Sequence, residues 1–504
     1  MQAVGVTEHL EVRGGAYYDS VSLMTVSRQV TTAPGVSAAQ VALATELNLE
    51  VLAGMGFTVP GGTQPNDLVV AIRATDQAGV DAGLSALDQA LASLHGAGAR
   101  AEGLGQILAP RTLGAAIARG SASVALVSVP GQYATIEAWD ALERGVSVML
   151  FSDNVPVEHE VALKDAAASR DLLVMGPDCG TAVVGGVGLG FANVVRAGPV
   201  GIVAASGTGA QQVMALLDAA GTGVSHCLGV GGRDLSTAVG GRSTRQALAA
   251  LAADVTTEVI LVVSKPPAPE VLADLQRYAA ALDTPVRWAT LGAGRPDLTT
   301  AVEEALRARG VPVPQWPAWR GASSGESADG FLRGLFCGGT LADEAMLVVA
   351  EALGDVWSNV PLRPDLALGA DLHAPGHVVV DFGDDRLTRG RAHPMIDPTL
   401  RLERIAAEAT DPTCGVLVLD LVLGHGAHPD PAPELAQAVG DARATAVRDG
   451  RRLPVVVSLT GTDGDPQAVS RCADTLVQAG ATVMLSNAQA ARHAVGLLGS
   501  GVGR

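Results

Sequence analysis

From about residue 111 onward, short apolar runs alternate with longer amphipathic stretches. RTLGAAIARG, TIEAWDALERG and VEHEVALKDAAASR carry apolar residues at helical spacing, while SVALVSVP, VSVMLFS and LLVMG are nearly continuous apolar runs of strand length. This alternation predicts a parallel sheet with right-handed crossovers. The pattern restarts at GPVGIVAASGTGAQQVMALLDAAG and continues through TEVILVVSKPPAPEVLADLQRYAAALDTPVRWATLG to about Arg309, a second α/β unit. HVVVDFG, GVLVLDLVLG, RLPVVVSLTG and ATVMLSN predict the strands of a third. Between them, GVPVPQWPAWRGASSGESADG (residues 310–330) is rich in Pro, Ser and Gly and has no periodicity, so it reads as a linker.

Residues 9–95 follow another rhythm. Leu10 to Arg13, Ser20 to Val30, VSAAQVALAT, NLEVLAGMGF, LVVAIRA and GLSALDQALASL predict strand, helix, two strands and helix, a small α+β sandwich of the split βαβ kind. The expected division is therefore 1–100 (α+β region), 101–198, 199–309, 310–374 (linker and connecting helices) and 375–504.

Composition narrows the function classes. Thirty-four Lys and Arg against 52 Asp and Glu leave 504 residues with a net charge of −18, the opposite of what a nucleic-acid binder needs. With 48% hydrophobic and 17% charged residues the chain is not disordered, and its 61 glycines suit many strand-to-helix turns. The five cysteines have no CxxC spacing, hence neither a disulfide framework nor a zinc site. MQAVGVTEHLEVRGG lacks a charged segment followed by an apolar one, and no 18-residue apolar stretch occurs, so a cytoplasmic protein without a membrane partner is expected.

Ligands of parallel sheets collect at the carboxyl ends of strands. Ser206, Gly207 and Thr208 follow the strand at Gly201–Ala204 and open a helix, which offers free N–H groups and a positive dipole end to an anion. An ordinary capped turn is the alternative. Gly231 and Gly232 precede Arg233 and Asp234 in GVGGRDLS, where the arginine could grip a carboxylate or phosphate or merely pair with the aspartate. GPDCGTA (176–182) is a tight turn in which Cys179 has no neighbouring His in sequence, so packing is its expected role. Arg389, Arg391, Arg401 and Arg404 surround His393 and suggest an anionic ligand or a partner loop. His425, His428 and Asp430 have a spacing too weak to assign a metal, and none is assigned. Thr460 to Gly464 repeats the glycine and hydroxyl pattern, so three such turns, around Ser206, Gly424 and Gly461, point to a protein that handles anions.

Together SVALVSVP, GPDCGTA, GIVAASGTG, GVGGRDLS, AHPMIDP and VLGHGAHPDP, with DSVSLM at 19–24, resemble the FdrA family of the wider succinyl-CoA synthetase superfamily, over essentially the whole chain. The resemblance implies an α/β fold of several Rossmann-like and flavodoxin-like parallel-sheet domains. Residues 111–198 would match the later part of the CoA-binding domain of the synthetase alpha subunit, 199–309 its ligase domain, and 375–498 the carboxy-terminal domain of the beta subunit.

The departures carry as much meaning as the match. No strand followed by GxTGxxG occurs in residues 1–100, which argues against CoA binding, and no cofactor is assigned. The loop that holds the synthetases' catalytic histidine reads Gly292, Ala293, Gly294, Arg295, Pro296, Asp297 here, without a histidine. Lys265 stands where the glutamate that supports that histidine is expected. The resemblance further implies two helix N-termini facing one phosphate, one after Ser206–Thr208 and one after Gly424–His425. Lys265, Arg233 and His425 are the catalytic candidates; Ser206, Gly207, Thr208, Gly231, Gly232, Gly424, Gly426, Arg391 and His393 are the phosphate or substrate ligands.

FdrA-type proteins are implicated in purine and allantoin catabolism as part of an oxamate carbamoyltransferase. The implied reaction is phosphorolysis of oxalurate to oxamate and carbamoyl phosphate, or its reverse. The partners are then small anions and companion subunits, since the ATP-grasp portion of the synthetases has no counterpart. The alternatives are an NDP-forming acyl-CoA synthetase and a non-catalytic scaffold subunit.

Overall fold

The computed structural model describes residues 7–14, 18, 20–96, 110, 112–321, 327–388 and 392–498. The chain is an α/β protein that divides into two compact units, Met1–Ala115 with Thr388–Ala392, and Ala116–Leu387 with His393–Arg504.

In the first unit, Leu68–Ala74 is the central strand of an antiparallel sheet, flanked by Thr7–Arg13 and Val36–Leu43. LVVAIRA is apolar at nearly every position because both faces are covered. Leu68, Val70 and Ile72 pack with Leu23, Val26, Val30, Leu87 and Leu91 from helices Ser20–Thr31 and Gln77–Gly96. Val69 and Ala71 pack on the other face with Leu52 and Phe57. NLEVLAGMGF therefore contributes a helix, Glu46–Gly54, capped by Thr45, which covers the sheet's second face.

Among its described residues the second unit holds three sheets. Val124–Val127, Ser147–Leu150 and Val174–Met175 form a parallel three-stranded sheet in that order, as the alternating pattern predicts. A six-stranded sheet runs Val286–Thr290, Val259–Ser264, Ala197–Ala205, Val224–Gly229, Thr181–Val184, Val187–Gly190. Its last two strands form an antiparallel hairpin joined through Val183 and Cys227, so residues 181–190 belong with this sheet rather than with the segment ending at 198.

The seven-stranded sheet corrects the expected boundaries again. Its order is Ala318–Trp319, Thr482–Met484, Val455–Thr460, Cys414–Val422, Phe331–Phe336, His377–Asp381, Val356–Ser358. Phe331–Phe336, the helix Gly339–Leu353 and Val356–Ser358 thus lie inside the third α/β unit, not in a linker extending to 374. FLRGLF hides its strand character because Arg333 interrupts the apolar run. That arginine is 0% exposed and is compensated by Glu408 and Asp411, each at 3.1 Å.

Registers align the strand ends that matter. Ser264 pairs with Ala205 and Thr290, and Gly229 pairs with Ala204. In the seven-stranded sheet Phe336 pairs with Asp381, and Leu335 with Leu419. The residues that follow these strands emerge at the carboxyl edges, where parallel sheets place their ligands.

Candidate functional site

Two helix N-termini meet here. Ser206 ends its strand in an extended conformation (φ −165°, ψ 124°) and caps helix Gly207–Ala219 by accepting a 2.9 Å hydrogen bond from the N–H of Gly209. Its Oγ also lies 2.6 Å from Oγ1 of Thr340, in the first turn of helix Gly339–Leu353. First-turn N–H groups have no acceptor within their own helix and carry the positive end of its dipole. The hydroxyl contact therefore sets two such ends side by side.

The second turn is held from below. Cys337 and Gly338 donate their N–H groups to the two carboxylate oxygens of Asp420, at 2.8 Å each, and Nη1 of Arg401 donates to Oδ1 at 2.7 Å. Asp420 is 0% exposed, so this charge is spent on positioning the turn. A Cβ on Gly338 would lie 2.9 Å from Oγ1 of Thr208, and one on Gly209 would lie 2.5 Å from Oγ of Ser206. The close approach of the two turns thus requires glycine.

Lys265 leaves the strand end at Ser264 and reaches the same place. Its Nζ is 3.5 Å from Oδ2 of Asp343, and a Cβ on Gly339 would meet Nζ at 2.9 Å and Oδ2 of Asp381 at 2.6 Å. Burial opposes the lysine's charge, but Asp343 and Asp381 outweigh it and hold Lys265 above the ordinary lysine range. Asp381 is 4% exposed; burial pushes its carboxyl up to about 7, although Lys265 and the 2.8 Å hydrogen bond from the N–H of Gly383 pull the other way.

His393 closes the far side. Its Nδ1 accepts from the N–H of Met395 at 3.2 Å, and its ring lies 5.9 Å from that of Phe191. Burial, then the charge of Arg401, push its pKa down to about 4, so the ring is neutral at physiological pH and its proton sits on Nε2. A Cβ on Gly383 would meet Nε2 of His393 at 2.9 Å and Oδ1 of Asp381 at 3.1 Å.

Ser206, Gly207, Thr208, Lys265 and His393 are thus built around this pair of helix starts. Other expected residues are not. The loop at Gly424, His425 and Gly426 does not open a helix; the next one begins at Ala432. Gly424 (φ 119°) and Gly426 (φ 80°) instead turn the chain so that His425 forms a backbone bridge with Ala192, which makes the loop a clasp. The turn at Gly461 is also a clasp: Asp465 accepts from the N–H groups of Thr462 and Val194 and from Asn193. Arg401 is spent on Asp420, and Arg404 on Glu408 and two carbonyls, so neither presents an anion site. Arg389 and Arg391 lie outside the described residues.

Arg233 donates to the carbonyl of Val155 at 2.8 Å and pairs with Glu160 at 2.9 Å, not with Asp234. Asp234 instead joins Glu160 around the fully buried Lys164, at 2.7 Å each. Gly231 (φ 88°) sits where a Cβ would lie 2.4 Å from the carbonyl of Pro177, and Gly232 faces Asp178. The thiol of Cys179 is buried and pushed up to about 12, which fits packing rather than nucleophilic attack. Among the described residues, no group of His, Cys, Asp and Glu is arranged to hold a metal, and no helix is long and apolar enough to cross a membrane.

Sequence reading passed over Gly339, Thr340, Asp343, Asp381 and Asp420. The signals were present. CGGT after an apolar strand repeats the pattern of ASGTG, and single aspartates end or interrupt the apolar runs HVVVD and VLVLDLV. Two clefts, of about 590 and 570 Å³, lie elsewhere, one beside Leu402 and Ala438 and one beside Arg196 and Thr462.

Residues 335–497, which contain the second helix start, Asp381 and His393, match the CoA-ligase family. Residues 6–105 match the family described as AllF, heavy metal-associated domain, although all five cysteines lie outside them, from Cys179 to Cys472. The Escherichia coli protein YahF, itself uncharacterized, is 38% identical over 94% of this chain and 96% of its own length. The alpha subunit of the ADP-forming succinate–CoA ligase of Methanothermobacter thermautotrophicus is 28% identical over 22% of this chain and 39% of that subunit. A dinucleotide-forming acetyl-coenzyme A synthetase of Ca. Korarchaeum cryptofilum, solved with phosphate and ADP, aligns over 79% of this chain and 86% of its own, with 15% identity and a TM-score of 0.28. The chain belongs to the family of YahF and is a CoA-ligase-like protein of the acyl-CoA synthetase superfamily.

Proposed function

We propose that this CoA-ligase-like chain transfers an acyl group by way of an acyl phosphate, its phosphoryl group held between the starts of helices Gly207–Ala219 and Gly339–Leu353. The observation that carries the reading is the 2.6 Å contact between Ser206 and Thr340, which brings two sets of first-turn N–H groups together. Each helix end favours an anion by about 0.3–1 kcal/mol, and more where water is excluded. Lys265 supplies the countercharge beside Gly339. Such a site stabilises charge that develops on the departing phosphate, because its donors are fixed before the reaction begins.

A specific observation favours a narrower reading, carbamoyl transfer between carbamoyl phosphate and oxamate. After strand Val286–Thr290 the loop holds Arg295, which donates to Oγ1 of Thr290 at 3.2 Å, and contains no histidine to carry phosphate. Carbamoyl phosphate is itself an acyl phosphate and needs no phosphohistidine. Lys265 is then the cation beside the phosphate, with the companion subunits of an FdrA-type complex completing the enzyme.

The test uses the protein with its companion subunits. Incubation with oxalurate and phosphate should yield carbamoyl phosphate, detected by ³¹P NMR. In a parallel arm, radiolabelled ATP, CoA and a carboxylic acid would yield acyl-CoA and an alkali-stable phosphoprotein if the ligase route operates. Product in the second arm alone removes the carbamoyl reading. Failure to form or discharge any acyl phosphate removes the proposal altogether.

A further inference from the structure

AHPMIDP and LGHGAHPDP, both conspicuous in the sequence, are joined in the fold and together hold a row of rings. The carbonyl of His393 accepts from the N–H groups of Ile396 and Asp397 at 2.8 and 3.0 Å, and that of Met395 accepts from the N–H of His428 at 2.8 Å. Gly426 brings the second loop against Phe191, since a Cβ there would lie 3.0 Å from Cδ1 of that ring. The rings of Phe151, Phe191 and His393 follow one another at centroid separations of 5.8 and 5.9 Å, and each residue is only half-buried.

Phe191 and His393 are each tied to one of the two helix starts. The N–H of Phe191 donates to the carbonyl of Gly180 and its carbonyl accepts from Oγ1 of Thr181, both at 2.7 Å. A Cβ on Gly207, the first residue of its helix, would meet that same Oγ1 at 3.4 Å. On the other side, Nε2 of His393 and the carbonyl of Cys337 both lie against Gly383, at 2.9 and 2.7 Å from a Cβ placed there, and Cys337 leads directly into Gly338 and Gly339. The tautomer follows from the contacts. Nδ1 accepts from the N–H of Met395, so the proton of the ring is on Nε2, and a pKa pushed down to about 4 agrees with a neutral ring. Among the described residues, no acceptor takes that Nε2–H.

We propose that the Nε2–H of His393 receives the acyl oxygen of the acyl phosphate and stabilises the negative charge that gathers there during transfer, with Phe191 and Phe151 walling the acyl group from water. The inference rests on the acyl-phosphate reading above. The lone pair of the acceptor forms a bond to the acyl carbon while one electron pair of the C=O bond moves onto its oxygen. That pair then restores the carbonyl as the bond from carbon to the phosphate oxygen breaks, leaving its electrons on the phosphate. The proton released by the acceptor goes to the phosphate, which departs as hydrogen phosphate, and no further reactant is needed. A neutral donor fixed before the reaction begins favours the charged oxygen of the transition state over the carbonyl of the ground state. Lys265, beside Asp343 and Gly339, is left to the phosphate.

The experiment has two arms, both on the assembled protein. In the first, discharge of carbamoyl phosphate and of acetyl phosphate is followed for wild type, His393→Leu and His393→Gln, with phosphate affinity measured on each. His393→Leu is expected to lose on the order of 10²-fold in kcat and to keep its phosphate affinity within a few-fold, while His393→Gln, which retains an N–H donor, should recover part of the rate. A wild-type kcat in His393→Leu would overturn the proposal. In the second arm, the wild-type protein with ¹⁵N-labelled histidine is titrated with acetylphosphonate, an unreactive analogue of an acyl phosphate, and separately with inorganic phosphate. The Nε2–H resonance of His393 should move downfield with acetylphosphonate and stay in place with phosphate. A resonance that does not move, or that moves equally with both, would overturn the proposal. If the wild type discharges neither acyl phosphate, the reading beneath it fails, and the second arm alone decides whether His393 is a donor to an acyl oxygen.

Discussion

Ser206 and Thr340 share a 2.6 Å contact between their hydroxyls although 134 residues separate them in the chain. Each hydroxyl belongs to a different sheet's strand-to-helix turn, so the contact joins the starts of two helices. Removing one side should therefore disturb the other. Ser206→Ala and Thr340→Val should each weaken phosphate binding by roughly 3- to 10-fold, the scale of one hydrogen bond of about 0.5–1.5 kcal/mol. The double variant should lose less than the product of the two, because the shared contact is counted twice. Calorimetric titration with phosphate measures all three.

Gly339→Ala separates local preference from the site. Gly339 is the first residue of its helix and has no positive φ, so alanine suits the backbone there and circular dichroism should be unchanged. The added carbon would nevertheless come within 2.6 Å of the buried Oδ2 of Asp381. Lys265, at the end of a flexible chain, can move aside, whereas Asp381 is fixed by Gly383 and Asn359. At least a tenfold fall in kcat/KM is expected, with a lower Tm because the overlap with a fixed carboxylate has to be relieved.

Asp381 also makes stability depend on pH. Its carboxyl rises from an ordinary 3.8 to about 7, so between these values the native state keeps a proton that the unfolded chain releases. Stability is then full below about 4, falls as pH rises, and levels off above about 7. Asp381→Asn, which cannot ionise, should gain stability over wild type by an amount that grows from pH 5 to pH 8, on the order of a few kcal/mol at the upper end. Urea unfolding at the two pH values checks the sign.

His393 acts in the opposite direction. Its fall from 6.5 to about 4 means that the unfolded chain binds a proton before the native state does, so this contribution is lost as pH falls through that window. His393→Gln should make unfolding less sensitive to acid between pH 6.5 and 4, as read from thermal melts across that range.

Lys164 predicts a purely structural loss. It is 0% exposed and lies 2.7 Å from both Glu160 and Asp234. Lys164→Met takes the cation away from Asp234 and leaves Glu160 with Arg233 alone, and should cost about 3–5 kcal/mol, seen as a large drop in Tm.

The strands and helices between 111 and 309 were legible because fully buried strands read as unbroken apolar runs, as in Val259–Ser264, and because their helices have clear polar faces. Legibility failed where a buried charge broke the run. Arg333 concealed Phe331–Phe336, and with it the CGGT turn that starts the second helix of the site. Ser206 could be picked out as a strand-end residue, and Lys265 through the family resemblance. Gly424 and His425 were misleading because a glycine-rich loop that clasps Ala192 has the same composition as one that opens onto a helix. Asp381 and Asp420 are alike in sequence, each an aspartate in an apolar strand, and only their partners separate them. Asp420 is consumed by Cys337, Gly338 and Arg401, while Asp381 lies against Gly339 and Gly383, beside Lys265.

The central claim is that the two helix starts together bind the phosphate of an acyl phosphate. A crystal structure of the protein with its companion subunits, grown with carbamoyl phosphate or phosphate, tests it most directly. The account predicts phosphate oxygens accepting hydrogen bonds from first-turn N–H groups of both helices, at Gly207–Thr208 and at Gly339–Thr340, with Lys265 beside them. A phosphate bound by one helix start alone, or bound elsewhere with these turns unchanged, would contradict it.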